Sequence, residues 1–391
     1  MKKNNLILRL GKQPVSNRFK KRKNDKTKCI NLTLVQENDS GLIKLLKPTN
    51  PKYLKPLVSW LTYNEPEEHL DMVVEDIQKN FLNDKKANIG GISFKDDTTL
   101  DRFKSKGHKV WRIDNKNDLD IDDNLGVESI QSALNQKTAN KILSKYNAAD
   151  VLVVRHIWEH TYDQKKLPLA LKIMIKKEGI ILIELPDCTK LLKSKDYTMI
   201  WEEHLFYYTL KTIIPSLSKF DFQVVYKKWV NYPNEPSIII GVRVSKNNII
   251  KISDTSRSNQ LLLGANYKQS FSINKKYLIK IFKKQTNDKK SIAIFGAGHL
   301  SMAFISFFKI EKYISIIFDD NPNKQGLYMP NTKIKIVSSE SIKAYKNLLI
   351  LLTVNLTNEH KIKKKIENAN NNKLEIKSIF PLSKNSIFNV K

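Results

Sequence analysis

The stretch ANIGGISFKDDTTLDRFKSKGHKVWRID, residues 87–114, reads in turn as strand, loop, helix and strand. ANIGGISF is a short apolar run, TLDRFKSKG has helical spacing and stops on Gly107, and HKVWRID is apolar again. The alternation continues downstream. SIQSALNQKTANKILSKY (129–146) reads as a helix and ADVLVVRH (149–156) as a strand. LPLALKIMIKKEG (167–179) reads as a helix ending on Gly179, and IILIELPD (180–187) as a strand. TLKTIIPSLSKF (209–220) is a helix with Thr209 as its N-cap. FQVVYKKWV (222–230) and PSIIIGVRV (236–244) are strands joined by a short Pro/Asn turn. Strands alternating with helices predict an α/β fold with a parallel, doubly wound sheet, here closed by an antiparallel edge pair.

Upstream, Glu67 and Glu68 follow Pro66 as in a first helical turn, and Leu70, Val73, Val74, Ile77 and Phe81 recur at helical spacing. Residues 1–65 show little periodicity. Pro48, Pro51 and Pro56 punctuate them, so short strands and turns are expected. Downstream, residues 246–285 are polar and then helical, a linker. A second α/β unit then opens with SIAIFGAGHLSMAFISFF (291–308), ISIIFDDNPNKQG (314–326) and NLLILLTVN (347–355). The expected division is a small N-terminal domain (1–65), a central domain (66–245), a linker helix (246–285) and a Rossmann-like C-terminal domain (286–391).

Composition bounds the function. The 391 residues are 41% apolar, enough for buried cores in two or three domains. No apolar run approaches the ~18–20 residues of a membrane helix, and the leader's apolar stretch is too short for a secretory signal, so a cytoplasmic location is expected. The net charge is +29, but only 8 of the 68 basic side chains are arginine, and the lysines are scattered. Readers of nucleic acid favour the planar arginine fork, so no nucleic-acid partner is expected, whereas an anionic small substrate is. Two cysteines, Cys29 and Cys188, exclude a disulfide scaffold. The oligomeric expectation is a monomer or homodimer.

Four places carry candidate chemistry. Gly90, Gly91, Ser93 and Asp96 form the loop after the first central strand, and Asp114 ends the second strand. In Rossmann-type folds those positions meet a nucleotide-like ligand, although a plain turn reads equally well. Arg155 and His156 follow the VLVV strand. His156, Glu159 and His160 have the look of metal ligands, but no third ligand lies nearby in sequence, so no metal is expected. Trp201-Glu202-Glu203-His204-Leu205-Phe206-Tyr207-Tyr208 gathers carboxylates, an imidazole and phenols before a helix. It reads as general acid–base chemistry or as a packed loop. Gly296, Gly298 and His299, with Asp320 and Lys324 beyond, form a dinucleotide-like G-x-G-x-x-S turn.

Taken in order, these segments resemble one family, the S-adenosylmethionine-dependent sugar C-methyltransferases. LGKQPVSNRF, ISFKDDTTLDRF, VWRID, ADVLVVRHIWEH, ELPD…DY…IWEEHLFYYT and IFGAGHLSMAF…FDDNPNKQGLYMP are each similar to a family segment. The resemblance implies a class I methyltransferase Rossmann-like central domain with S-adenosylmethionine as cofactor. Gly90, Gly91, Ser93, Asp96, Asp114, Arg155 and His156 would lie at that cofactor. His204 would be the general base, with Glu203 and Tyr207 beside it. The implied substrate is a nucleotide-linked keto-deoxysugar, held by Gly296, Gly298, His299, Asp320 and Lys324. Three departures stand out. The family's zinc knuckle C-x-x-C-G-L-I is Glu37-Asn38-Asp39-Ser40-Gly41-Leu42-Ile43 here, so no structural zinc is expected. The N-D-G of the cofactor loop is Lys95-Asp96-Asp97, and Y-H-E-H is Trp201-Glu202-Glu203-His204. The alternatives are an NAD(P)- or nucleotide-binding protein working through the GAGHLS turn, and a non-catalytic relative that binds glycan intermediates.

Overall fold

The structure is a computed structural model that describes residues 4–55, 58, 66–233, 235–246, 249–369 and 374–389. The stretch 59–65, which includes the junction expected after the N-terminal domain, lies outside the described residues, as does Pro56. The chain opens with β1 (Asn4–Pro14), β2 (Cys29–Glu37) and β3 (Ile43–Leu45). The central part follows as α1 (Leu70–Phe81), β4 (Asn88–Gly91), α2 (Asp97–Ser105), β5 (Lys109–Arg112), α3 (Asn115–Leu119), α4 (Val127–Ala133) and α5 (Gln136–Tyr146). It continues with β6 (Ala149–Arg155), α6 (Lys166–Met174), β7 (Ile175–Pro186), α7 (Thr189–Ser194), β8 (Phe206–Tyr207), α8 (Leu210–Ser218), β9 (Phe222–Val230) and β10 (Ser237–Val244). The long helix α9 (Asp254–Asn287) leads to β11 (Ser291–Phe295), α10 (His299–Phe308), β12 (Ile314–Asp319), β13 (Ile336–Ser338), β14 (Leu348–Leu352), α11 (Glu359–Ala369) and β15 (Glu375–Ser378).

The central sheet has the order β5-β4-β6-β7-β10-β9. Strands β5, β4, β6 and β7 are parallel, and β10 and β9 run antiparallel at the edge. This is the parallel, doubly wound sheet with an antiparallel edge pair that the alternation predicts. Burial on both faces explains the unbroken apolar runs. Val151, Val153, Ile180 and Leu182 enter one core, while Leu152, Val154, Ile181 and Ile183 enter another. The C-terminal sheet, β13-β12-β11-β14-β15, is parallel throughout, with β11 at its centre. Among the described residues no helix is long and apolar enough to cross a membrane.

Local chemistry shifts three expected elements. The helix expected over 129–146 is two helices. The Asn135 side chain accepts from the amides of Lys137 and Thr138, caps α5 and breaks the run. The helix expected to reach Gly179 stops at Met174, and β7 begins at Ile175. The N-terminal strands are long rather than short: β1 has 11 residues and pairs with β2 along its length. That sheet, β1-β2-β3-β8, borrows its last strand from the central part, with Ile43 opposite Tyr207. The segment just before β8 is therefore fastened to the N-terminal sheet.

Candidate active site

Two cavities meet at the carboxyl edge of the central sheet. One, of about 570 Å³, is walled by Lys95 and Phe94 from the loop after β4, by Glu128, by Glu159 and His160 after β6, and by Glu203 and His204. The other, of about 700 Å³, opens between the central and C-terminal sheets. Asn17, His156, Pro186, Met199, Trp201 and Glu235 line both, so the two are continuous through these residues. His156 sits at this junction with φ +50°, a left-handed conformation that a non-glycine residue adopts at a cost. Its Nδ1 is 3.4 Å from Glu159 and its Nε2 3.9 Å from Glu184.

The smaller cavity concentrates titratable groups. His160 Nδ1 lies 2.9 Å from Glu128, and the His160 ring meets the His204 ring edge-on at 4.7 Å. Glu159 is buried, and neither of its oxygens has a hydrogen-bond partner. Burial alone would lower the His160 pKa, but Glu128, Glu159 and Glu203 outweigh it and raise it to about 9. His204 is pushed well below its ordinary value by burial, reinforced by His160, His156, His299 and Lys95, so its imidazole stays neutral. The Glu203 carboxyl is raised by burial and by Glu128, against the pull of His160.

These shifts give stability a sign. Folded-state pKa values of His160 and Glu203 lie above their unfolded values. Their contribution is full below the unfolded values and fades as pH rises through about 9 for His160 and through the raised value of Glu203. The thermal midpoint is expected to fall between pH 7 and pH 9.5, and to fall less in His160→Gln. An equal fall in both proteins would show that His160 carries none of it.

The structure supplies what the sequence lacked around Glu159 and His160. His204 brings a third metal-type ligand, with the three ligand atoms within 4.8 Å of one another. Zinc bonds of about 2.0–2.1 Å would draw tetrahedral ligand atoms to within ~3.4 Å, whereas His160 Nε2 and Glu159 are 3.9 Å apart.

The predicted site residues divide. His204 and Glu203 line the smaller cavity and His156 lines both. Tyr207 does not reach either lining. Its hydroxyl accepts from the Trp201 amide at 3.1 Å and donates to the Trp201 carbonyl at 3.0 Å, which corrects its expected place beside the substrate. Gly90, Gly91, Ser93 and Asp96 build the loop from beneath. A Cβ at Gly90 would lie 2.4 Å from the Trp111 ring, and one at Gly91 2.7 Å from Leu100. Asp96 is fully buried and accepts from the amides of Ile92, Ser93 and Arg155 at 2.7–2.8 Å. Asp114 caps α3 through the Asn117 amide. Arg155 is a strut, its Nε 2.5 Å from Glu184 and its Nη1 2.7 Å from the Lys95 carbonyl. Phe94 and Lys95, from the loop singled out in the sequence, also line the cavity, and so does Glu128. No motif marks Glu128, because only the fold turns it toward this space.

In the C-terminal unit Gly296, Gly298 and Lys324 line the larger cleft, and Gly296 has φ +106°. Asp320 is held by Ser339 and by Lys365 at 2.6 Å, away from that lining. Both His299 nitrogens are committed, Nδ1 to Ser16 and Nε2 to the Thr198 carbonyl, so the ring has no polar atom left for a substrate. Asp319 Oδ2 accepts from the Ala297 amide at 2.6 Å, and Lys324 bridges Asp319 and the Ala297 carbonyl. A carboxylate of this chain therefore takes the Ala297 amide of the G-x-G turn.

Residues 247–381 match the family model described as the C-methyltransferase C-terminal domain. That match covers 135 of the 391 residues, all in the C-terminal part of the chain. The C-methyltransferase NovU of Streptomyces niveus is 19% identical over 251 residues, which cover 62% of this chain and 60% of NovU. The match thus spans less than two thirds of that relative's length. Among solved structures, a SAM-dependent methyltransferase from Anabaena variabilis is 18% identical and covers 45% of this chain and 85% of its own, with TM-score 0.31. The 1,6-didemethyltoxoflavin-N1-methyltransferase of Burkholderia thailandensis is 9% identical over 53% and 97%, with TM-score 0.29. In this chain the positions that resemble a zinc knuckle hold Glu37 and Ser40. The Ser40 hydroxyl donates to Glu37 at 2.7 Å, and Lys44 lies 2.5 Å from the same carboxylate. A turn without thiolates and with an ammonium at its carboxylate does not fit a zinc site.

Proposed function

We propose that this chain is an S-adenosylmethionine-dependent methyltransferase that methylates a carbon beside a ketone on a nucleotide-linked deoxysugar. The observation that carries the reading is His204, a neutral imidazole on the wall of a cavity at the carboxyl edge of the central sheet, with Glu203 next to it.

The residues present fit the cofactor. The buried Glu159 carboxylate, with neither oxygen hydrogen-bonded and only the His156 and His160 rings at 3.4 and 3.9 Å, can face further positive charge, which a sulfonium and an ammonium supply. Glu128 and Glu159 would face those charges, and Lys95 the carboxylate. When bound, S-adenosylmethionine supplies an electrophilic methyl group.

His204 accepts the proton from the acidified ring carbon, and its neutral state leaves the nitrogen lone pair ready for it. Glu203 holds its proton above the usual carboxylate range and can donate a hydrogen bond to the developing enolate oxygen. That role passes to Glu203 because the Tyr207 hydroxyl is tied to Trp201. The nucleotide end of the substrate extends into the larger cleft toward Gly296, Gly298 and Lys324.

Calorimetry with S-adenosylhomocysteine and, separately, NADH tests the reading. Saturable binding of S-adenosylhomocysteine is expected. Binding of NADH without it would overturn the proposal.

A further inference from the structure

Three side chains from three parts of the fold meet next to the His204 loop. Ser16 follows β1, Glu202 stands two residues before His204, and His299 opens α10. The Ser16 amide donates to Glu202 Oε1 at 2.6 Å. The Ser16 hydroxyl lies 3.0 Å from Glu202 Oε2 and 2.6 Å from His299 Nδ1. His299 Nε2 lies 3.0 Å from the Thr198 carbonyl, and the His299 ring is stacked on Trp201 at 3.5 Å and 9°. Glu202 and His299 are both 3% exposed, so water cannot settle their hydrogen bonds.

Counting protons fixes the chain's state. A carbonyl only accepts, so His299 Nε2 carries a hydrogen. In a neutral ring Nδ1 is then an acceptor and takes the single Ser16 hydroxyl proton. That hydroxyl has nothing left to give Glu202 Oε2, so Oε2 must carry a proton and donate to Ser16. Shifting both protons along the chain would instead give a carboxylate and an imidazolium, two buried charges with Nδ1 and Oε2 3.9 Å apart. Burial disfavours both: it raises the Glu202 carboxyl and lowers His299 to about 3. The titratable groups facing Glu202 are Arg18, Glu203, Tyr207 and His299.

We propose that Ser16, Glu202 and His299 form a hydrogen-bonded latch, with Glu202 as a neutral acid, that ties the three sheets together and positions the loop bearing His204. The two sequence departures Trp201 and Glu202 then have one explanation, since both meet His299, one by stacking and one through Ser16. The positioning role rests on the methyltransferase reading, whereas the latch as a tie between sheets does not.

Ser16→Ala, Glu202→Ala and Glu202→Gln test it, each followed by S-adenosylhomocysteine affinity, kcat and KM for methyl transfer, and thermal unfolding. Gln reproduces the neutral acid: its carbonyl accepts from the Ser16 amide and its NH₂ donates to the hydroxyl. Glu202→Gln is expected to keep kcat within about twofold and the wild-type midpoint. The two Ala variants are expected to lose about 5- to 100-fold in kcat, as buried groups left unpaired cost, with S-adenosylhomocysteine affinity unchanged and a lower midpoint. A Gln variant as impaired as Glu202→Ala would show an ionised carboxylate and overturn the neutral acid. Ala variants with wild-type kcat and midpoint would overturn the latch. If the wild type binds no S-adenosylhomocysteine, the functional reading fails by itself, and the midpoints of the same three variants still decide the latch.

Discussion

His204→Ala is expected to slow methyl transfer by about 10²–10⁴-fold, the usual worth of a positioned general base. The size follows from how the site is built. The ring lines the smaller cavity, next to Glu203 and edge-on to His160. The other imidazole that both cavities reach, His156, is held by φ +50° and faces Glu159 and Glu184, so it is not placed to substitute. The loss should fall on kcat, while S-adenosylhomocysteine binds the variant as before. Because His204 lies well below its ordinary pKa, activity should not decline on its account as pH drops from 7 to 6. Single-turnover assays with labelled S-adenosylmethionine and a keto-deoxysugar nucleotide measure this. Equal rates for variant and parent would remove His204 from the chemistry.

The second large effect is on folding. Glu184→Ala is expected to destabilise the protein by about 3–5 kcal/mol, because it strips one partner from a buried charge network. Glu184 is 2% exposed and lies 2.5 Å from Arg155 Nε, 2.9 Å from His69 Nε2 and 2.7 Å from the Ser237 hydroxyl. Burial alone would raise its pKa, but His69, His156 and Arg155 outweigh that and hold it far below the usual carboxylate range. Stability from a depressed carboxylate is present above the unfolded value and fades as pH falls through the folded one. The gap between parent and variant should therefore be widest near neutrality and close in strong acid. Urea denaturation at pH 7 and pH 3 checks both statements, and a loss under ~1 kcal/mol at pH 7 would show that Arg155 finds another counter-charge.

Much of this architecture is legible in the chain because local signals and burial agree. The VLVV and IILI runs are apolar at every position, as strands covered on both faces must be, and Thr209 caps the helix after the His204 loop. The break at Asn135 is a local one: Asn is a favoured N-cap, and its side chain accepts from amides two and three residues on. Other departures come where a contact distant in sequence decides. The site shows the same limit. His204 and Glu203 are visible as a dense cluster, whereas Tyr207 looks equally reactive until its hydroxyl is seen on Trp201. Lys95 and Glu128 lie 33 residues apart in the sequence and face one cavity only because the fold brings the start of α4 to the loop after β4. Ser16 and His299, 283 residues apart, share a proton that no local pattern encodes.

The turn at Glu37–Leu42 bears on how this protein is held together. Its closure comes from the Gly41 amide donating to the Glu37 carbonyl, the Glu37 amide donating to that of Leu42, and the Ser40 hydroxyl donating to the Glu37 side chain. Hydrogen bonds of this kind draw on nothing outside the polypeptide. The β2–β3 connection of the N-terminal sheet, and through β8 the segment that carries His204, is thereby fastened by the chain's own amides, carbonyls and hydroxyl, with no thiolate in the turn.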